Sequence, residues 1–479
     1  MTFDDLLSLG PLLNIAGASV LAMLLVAIWR NHRLVYYFTV LAYLLALLSV
    51  VPVAKLLPHT IPPLVVIDLF ALFNSGAIVG SGLIIVLLSY NYFEEREERK
   101  EEYYLLLLLA TAGALVLVIS RHFMSLFLGL EMLSISLYGL IAYLRARERS
   151  DEAGIKYLIL AALSSAFLLF GMALVYGFTG HMDFPGIGAY LRETDTLPVS
   201  VIAGFGLMLI GIGFKLGVVP FHMWAPDIYE GAPLPVTAFV ATISKGGVLV
   251  LLIRFYQDVN GSEYTMLWWI MAIIAVVSMF AGNWLALTQQ NIKRLLAYSS
   301  IAHLGYLLVG FLSGAQSGLE AIAFYLVAYF VTSIGAFGVL IVMSSSVQDA
   351  ETVEDYRGLF WRYPWVALAF TVMLLSLAGI PLTAGFIGKF YIVMAGVNGE
   401  QWFLLIMLVI NSVIGLYYYI RIIAMMFRTS EAPLRTYIRP ALPLAGNITL
   451  GLLVVVLVGL GVYPTRMMQL IQEMMMMIK

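Results

Sequence analysis

The 479-residue chain contains no cysteine. That excludes disulfides, thiol catalysis and cysteine-ligated iron–sulfur clusters within it. Any redox centre it works with must belong to a partner. Charge is also scarce: 11% of residues are Asp, Glu, Lys or Arg, against about a quarter in soluble domains. The net charge of −2 gives no basis for a nucleic-acid partner. No zinc, catalytic-triad or nucleotide-binding motif is present. The Gly-x-Gly pairs Gly204–Gly206 and Gly211–Gly213 sit in apolar runs and read as packing glycines, not phosphate cradles. The opening MTFDDLLSLG has acids and no basic segment, so the first apolar run is expected to be a permanent helix.

What the chain has in abundance is apolar sequence. Hydrophobic residues make up 62% of it, and the mean hydropathy is +0.96. A helix needs roughly 20 apolar residues to cross a bilayer, and about fourteen such runs follow one another. The expected fold is an all-α polytopic membrane protein. Strands are not expected, because an open sheet cannot sit in lipid. Lys and Arg set orientation. Most fall in alternate loops on one side, from Arg30 to Arg439, and few on the other, among them Lys55, Arg121, Arg192 and Arg254. Both termini are therefore expected on the outer face. The run EEREERKEE (Glu94 to Glu102) reads as a solvated inner turn.

Lys156, Lys215, Lys245 and Lys389 fall inside expected spans. Lys156 is near a helix end and can snorkel. The others are near mid-helix, where a charge costs about 2.5–3.5 kcal/mol or more. Glu131 lies about eight residues into the fifth span, roughly 12 Å deep. A buried carboxylate and a buried ammonium offset each other's desolvation if they pair. Glu131 with Lys215 is thus a candidate proton switch, the other reading being a structural ion pair. Lys245, His303 and His222 are candidate relays. Asp227 and Glu230 read as caps of the eighth span, Asp68 as a cap or interfacial contact, and Tyr417 to Tyr419 as an interfacial belt. The terminal methionines read as an adaptable apolar surface.

Two spans are internally broken: the seventh, at GFKLGVVPFHMWAPDIYEGAPLP (Gly213 to Pro235), and the twelfth, at LAGIPLTAGFIGKFY (Leu377 to Tyr391). Discontinuous helices in corresponding places point to repeats and an ion site. The expected division is residues 1–100, a three-helix segment; 101–260, a first five-helix repeat; 261–428, a second, inverted five-helix repeat; and 429–479, holding the fourteenth span.

These two motifs and QQNIKRLLAYSSIAHLGYLLVG resemble the antiporter-like subunits of proton-pumping NADH:quinone oxidoreductase, respiratory complex I. Multi-subunit sodium/proton antiporters and membrane-bound hydrogenases share the motif around Lys215. The resemblance implies a translocation module with no cofactor of its own. NADH, FMN, iron–sulfur clusters and quinone would belong to other subunits. The partners would be neighbouring antiporter-like and other membrane-arm subunits, in a bacterial inner membrane with both termini periplasmic. It also implies roles: Glu131 and Lys215 as the switch, Lys245 as the bridging lysine, Lys389 as the exit lysine, and Lys156 as a sixth-helix lysine of less defined role.

Overall fold

A helix of 19 residues is about 29 Å long, close to the thickness of a bilayer's hydrocarbon core. The computed structural model describes residues 2–94, 96, 99–194, 198–314, 316–345, 348–429 and 444–476. Among these, thirteen helices are long and apolar enough to cross a membrane. Two shorter apolar helices, Pro364–Ala378 and Ala384–Asn398, form the twelfth expected span as two halves. The chain is a multi-pass membrane protein whose spans are all helical.

The spans are not equally enclosed. Those at Leu234–Asp258 (eighth) and Ile292–Leu312 (tenth) are buried throughout. The first two spans, Gly10–Ile28 and His32–Val53, and the last, Leu444–Val462, are only about one-third buried. The centre of the molecule is thus built from the helices that carry Lys245 and His303. Close helix crossings rest on glycine. A Cβ on Gly113 in the fourth span (Glu101–Ile119) would lie 2.6 Å from the Leu133 backbone of the fifth (Phe123–Ile141). A Cβ on Gly282 in the ninth (Thr265–Leu287) would lie 2.7 Å from the Ala302 and Tyr298 backbones of the tenth. Gly204 and Gly211 likewise meet the backbone of the sixth span (Glu148–Thr179), whereas Gly206 faces open space.

Both expected breaks are present. The seventh span runs Val199–Leu216 and resumes as Trp224–Gly231. Gly217, at φ +73°, closes the first half by donating to Gly213 O at 2.9 Å. Gly379, at φ +83°, closes Pro364–Ala378 by donating to Leu375 O at 3.0 Å. These positive φ values suit glycine, which ends both half-helices in the same way. The eighth span has a widened π turn, Val240–Ser244, immediately before Lys245.

Several expectations need correction. No strands were expected, yet His59–Ile61 pairs antiparallel with Val65–Ile67, with Thr60 opposite Val66. The pair lies between spans, where water can satisfy its edges. Short helices at Phe3–Ser8, Phe184–Glu193 and Thr465–Met476 were not foreseen. The Glu94–Glu102 run is not simply solvated. Glu94 bonds His32, Glu101 is buried, and Arg96 turns inward to Asp349 at 3.5 Å. Arg435, Arg439, Lys479, Glu95, Glu97, Glu98, Met477 and the start of the 429–479 segment lie outside the described residues.

Candidate functional site

The fifth span places Glu131 and Ser134 one turn apart, on the same side. Glu131 accepts a hydrogen bond from Ser165 of the sixth span at 2.5 Å. Lys215, on the last turn of the seventh span's first half, donates to Ser134 Oγ at 2.6 Å. Glu131 and Lys215 therefore do not form the direct ion pair expected. Each holds a serine hydroxyl, and the two serines bring the acid and the base to one patch. A cation at the end of a half-helix is favoured by the helix dipole.

Lys215 faces the rings of Tyr157 and Phe214, at 5.6 and 5.8 Å. Trp224 packs on both rings and donates from Nε1 to Phe214 O at 2.8 Å. The break thus frees a carbonyl, and the resumed helix supplies its donor. Beyond lies Lys245. A Cβ added to Gly217 would come within 3.5 Å of its Nζ. The glycine of the first break therefore seats the lysine of the next span. Lys245 is fully enclosed and donates to Ser300 Oγ of the tenth span at 2.7 Å. Tyr229 OH lies 3.3 Å from the same Ser300.

One turn further along the tenth span is His303. Its Nδ1 is 2.6 Å from Tyr325 OH of the eleventh span (Gln316–Met343), and its Nε2 is 3.2 Å from Tyr419 OH of the thirteenth (Trp402–Phe427). The ring also packs edge-on against Tyr306, at 5.4 Å between centroids. Lys389 Nζ sits over that Tyr306 ring at 5.0 Å. It donates to Leu377 O, Ala378 O and Ser412 Oγ, each at 3.0 Å. Lys389 therefore covers the carbonyl end of the twelfth span's first half. A Cβ on Gly379 would lie 3.2 Å from its Nζ. Both breaks thus place a glycine under a lysine ammonium.

The structure brings Lys215, Lys245, His303 and Lys389 into one row joined by hydroxyl groups and aromatic rings, with Glu131 one turn from the serine that holds Lys215. His222 and Lys156 do not join it. His222 is buried at the first break, with Nδ1 unpartnered. Lys156 is 44% exposed and paired with Glu152 at 2.6 Å and Asp227 at 3.1 Å. Asp227 and Glu230 do not cap the eighth span. Both bind Arg294, at 2.7 and 2.8 Å. Asp68 caps the next helix as expected, accepting from Ala71 N at 2.7 Å, but in place of an interfacial contact it makes a buried ion pair with Arg254. Tyr417 is exposed as expected of a belt, but Tyr418 and Tyr419 are buried and point to Asn283 and His303. Sequence reading missed the row's hydroxyls: Ser134, Ser165, Ser300, Tyr325 and Tyr419. The available signal was spacing, since Ser134 and Ser300 each stand three residues from a titratable group.

Such a row on broken helices defines a class, the antiporter-like membrane subunits. Residues 120–415 match the family model described as "NADH:quinone oxidoreductase/Mrp antiporter, TM". A chain of respiratory complex I from Thermus thermophilus superposes with a TM-score of 0.82 at 30% identity, covering 96% of this chain and 98% of that one. A chain of the Mrp complex from Dietzia sp. shares the fold, with a TM-score of 0.88 at 22% identity over 99% of this chain and 97% of that one. Within the class, the NADH-quinone oxidoreductase subunit N of Ectopseudomonas mendocina is 45% identical, over 98% of this chain and 97% of the relative. That of Nitrosospira multiformis is 48% identical, over 98% and 96%. The chain belongs to the subunit N family of NADH-quinone oxidoreductase.

Proposed function

We propose that this chain translocates protons in the membrane arm of an NADH:quinone oxidoreductase, using Glu131, Lys215, Lys245, His303 and Lys389 as the transfer groups. The observation that carries this reading is the row of enclosed lysines and a histidine with hydroxyl partners, with the half-buried Glu131 beside it. Stability alone would not retain three enclosed lysines, and intramembrane ionisable groups are functional by default. In this reading Glu131 and Lys215 share control of one proton through Ser134. Lys245 and His303 relay it through Ser300, and Lys389 releases it. Redox energy arrives from other subunits, which hold NADH, FMN, iron–sulfur clusters and quinone. The row divides between two inverted units, 101–260 and 261–428, each with a broken fourth helix. The chain sits in a bacterial inner membrane with both termini periplasmic. A sodium/proton antiporter or membrane-bound hydrogenase role is disfavoured by full-length identity to subunit N relatives.

The test is Lys215→Ala in the assembled complex. Proton pumping and quinone reduction should fall together, by about 10²-fold for a lost proton-transfer group, with assembly retained. Normal pumping in that complex would remove Lys215 from the role. Loss of assembly alone, with normal turnover in whatever complex forms, would make the row structural.

A further inference from the structure

The face of the molecule where the sixth and tenth spans begin carries a second cluster of titratable groups. Asp349, in the loop after the eleventh span (Gln316–Met343), has a side chain with no exposure at all. It accepts from Tyr92 OH at 3.1 Å and Arg147 Nη1 at 2.8 Å. Lys293, on the first turn of the tenth span, lies 3.9 Å from both Asp349 and Glu351. It is 1% exposed and donates to the carbonyls of Glu230 and Ala232, at 2.7 and 2.8 Å. Those carbonyls end the second half of the seventh span and lead into the eighth. Glu351 is the cluster's carboxylate that reaches solvent beside Lys293, its side chain 16% exposed against none for Asp349. Two arginine nitrogens here, Arg96 Nε and Arg147 Nη2, are buried without a partner.

The cluster stands at the head of the helices that carry the row. Lys293 and Ser300 are seven residues apart on the tenth span, hence on one face about 10 Å apart. Ser300 holds Lys245, and Tyr229 OH meets Ser300 from the seventh span. Lys293 therefore stands on the tenth-span face that leads to the serine holding Lys245.

We propose that this cluster is the proton-collecting port for Lys245, with Glu351 as collector and Lys293 as first acceptor. The proposal rests on the reading that the row moves protons. Glu351 takes a proton from solvent water. Its O–H bond then breaks as an N–H bond forms on the neutral Lys293 amine. Lys293 passes a proton on through water and the hydroxyls of Tyr229 and Ser300, each accepting one and releasing another, to the neutral Lys245 amine. Glu351 regains its charge and is ready for the next proton. The groups facing Glu351 are Lys293 and Asn291 at the tenth span, Arg149 at the sixth, Glu230 at the seventh, and Asp349 and Tyr356 on its own side. Burial and the neighbouring carboxylates hold Glu351 above the usual carboxylate range, against the pull of Lys293 and Arg149. Asp349 remains charged and keeps the arginines in place.

The experiment measures NADH-driven pumping by the whole reconstituted complex, from about pH 6 to about pH 9. Wild type, Glu351→Gln, Glu351→Asp and Lys215→Ala are compared. Loss of a collector starves the row when protons are scarce. Glu351→Gln should therefore be near wild type at the acid end and about tenfold slower at the alkaline end, with Glu351→Asp between. A profile parallel to wild type, or an equal loss at every pH, overturns the port. If Glu351→Gln does not assemble, Glu351→Asp decides on the same criterion. An inactive Lys215→Ala beside an unchanged Glu351→Gln overturns the port alone. A fully active Lys215→Ala overturns the translocation reading beneath it.

Discussion

At the scale of single residues, the row works because no titratable group is left alone. Lys215 has Ser134, Lys245 has Ser300, Lys389 has Ser412, and His303 has two tyrosines. A buried donor stripped of its partner costs about 1–3 kcal/mol, which alters the energy of the protonated state. Ser300→Ala removes the hydroxyl shared by Lys245 and Tyr229. Turnover of the assembled complex should drop several-fold, while Ser300→Thr, which keeps the hydroxyl, should retain most of it. Equal rates for the alanine variant and wild type would show that Ser300 is not part of the route. The charged members of the row were legible in the sequence because a lysine in an apolar run is conspicuous. Their partners were not, since serine and tyrosine occur on membrane helices for many reasons. The expected Glu131–Lys215 ion pair failed for the same cause: charge chemistry predicts attraction, but only packing reveals that each group takes a different serine hydroxyl.

At the scale of helices, glycine does two separate jobs. At Gly217 and Gly379 it supplies the positive φ that ends a half-helix beneath a lysine. At Gly113 and Gly282 it lets two helices cross backbone to backbone. Gly282→Val must part the ninth and tenth spans, and overpacking of this kind costs about 1–3 kcal/mol. Thermal unfolding in detergent should show a lower midpoint for Gly282→Val, with Gly206→Val, which enters open space, close to wild type. A similar midpoint for both would mean that the crossing relaxes freely. The breaks themselves could be read from Pro220 and Pro381 with their glycines, because proline and glycine act locally. The π turn at Val240–Ser244 could not. The β-branched residues of VATIS are only mildly unfavourable in a helix and do not by themselves mark a π turn.

At the scale of the whole molecule, ion pairs between distant parts of the chain fasten the helix ends. Asp68, before the third span, holds Arg254 of the eighth through two bonds, at 2.8 and 3.0 Å. Asp349 gathers Arg96, Arg147 and Lys293. The charge tally along the sequence counted Arg254 and Lys293 as loop charges, yet both are buried. Their partners are far away in sequence, so a local reading cannot find them. Burial pushes both carboxyls up, but the cations around them prevail. Arg254 and the Ala71 N–H hold Asp68 below the usual carboxylate range, and Lys293, Arg147 and Arg96 do the same for Asp349. A carboxyl whose pKa is depressed by folding contributes stability above its unfolded value, near pH 4, and loses it as pH falls further. The unfolding midpoint of the purified protein should therefore hold down to about pH 4 and fall below it. Asp68→Asn leaves Arg254 buried and unpaired, at a cost of about 3–5 kcal/mol near neutral pH, and should flatten part of the acid-side fall. Adding Arg254→Met removes the stranded charge and should restore much of the midpoint. A double variant no more stable than Asp68→Asn alone would show that the stranded Arg254 charge is not the source of the loss.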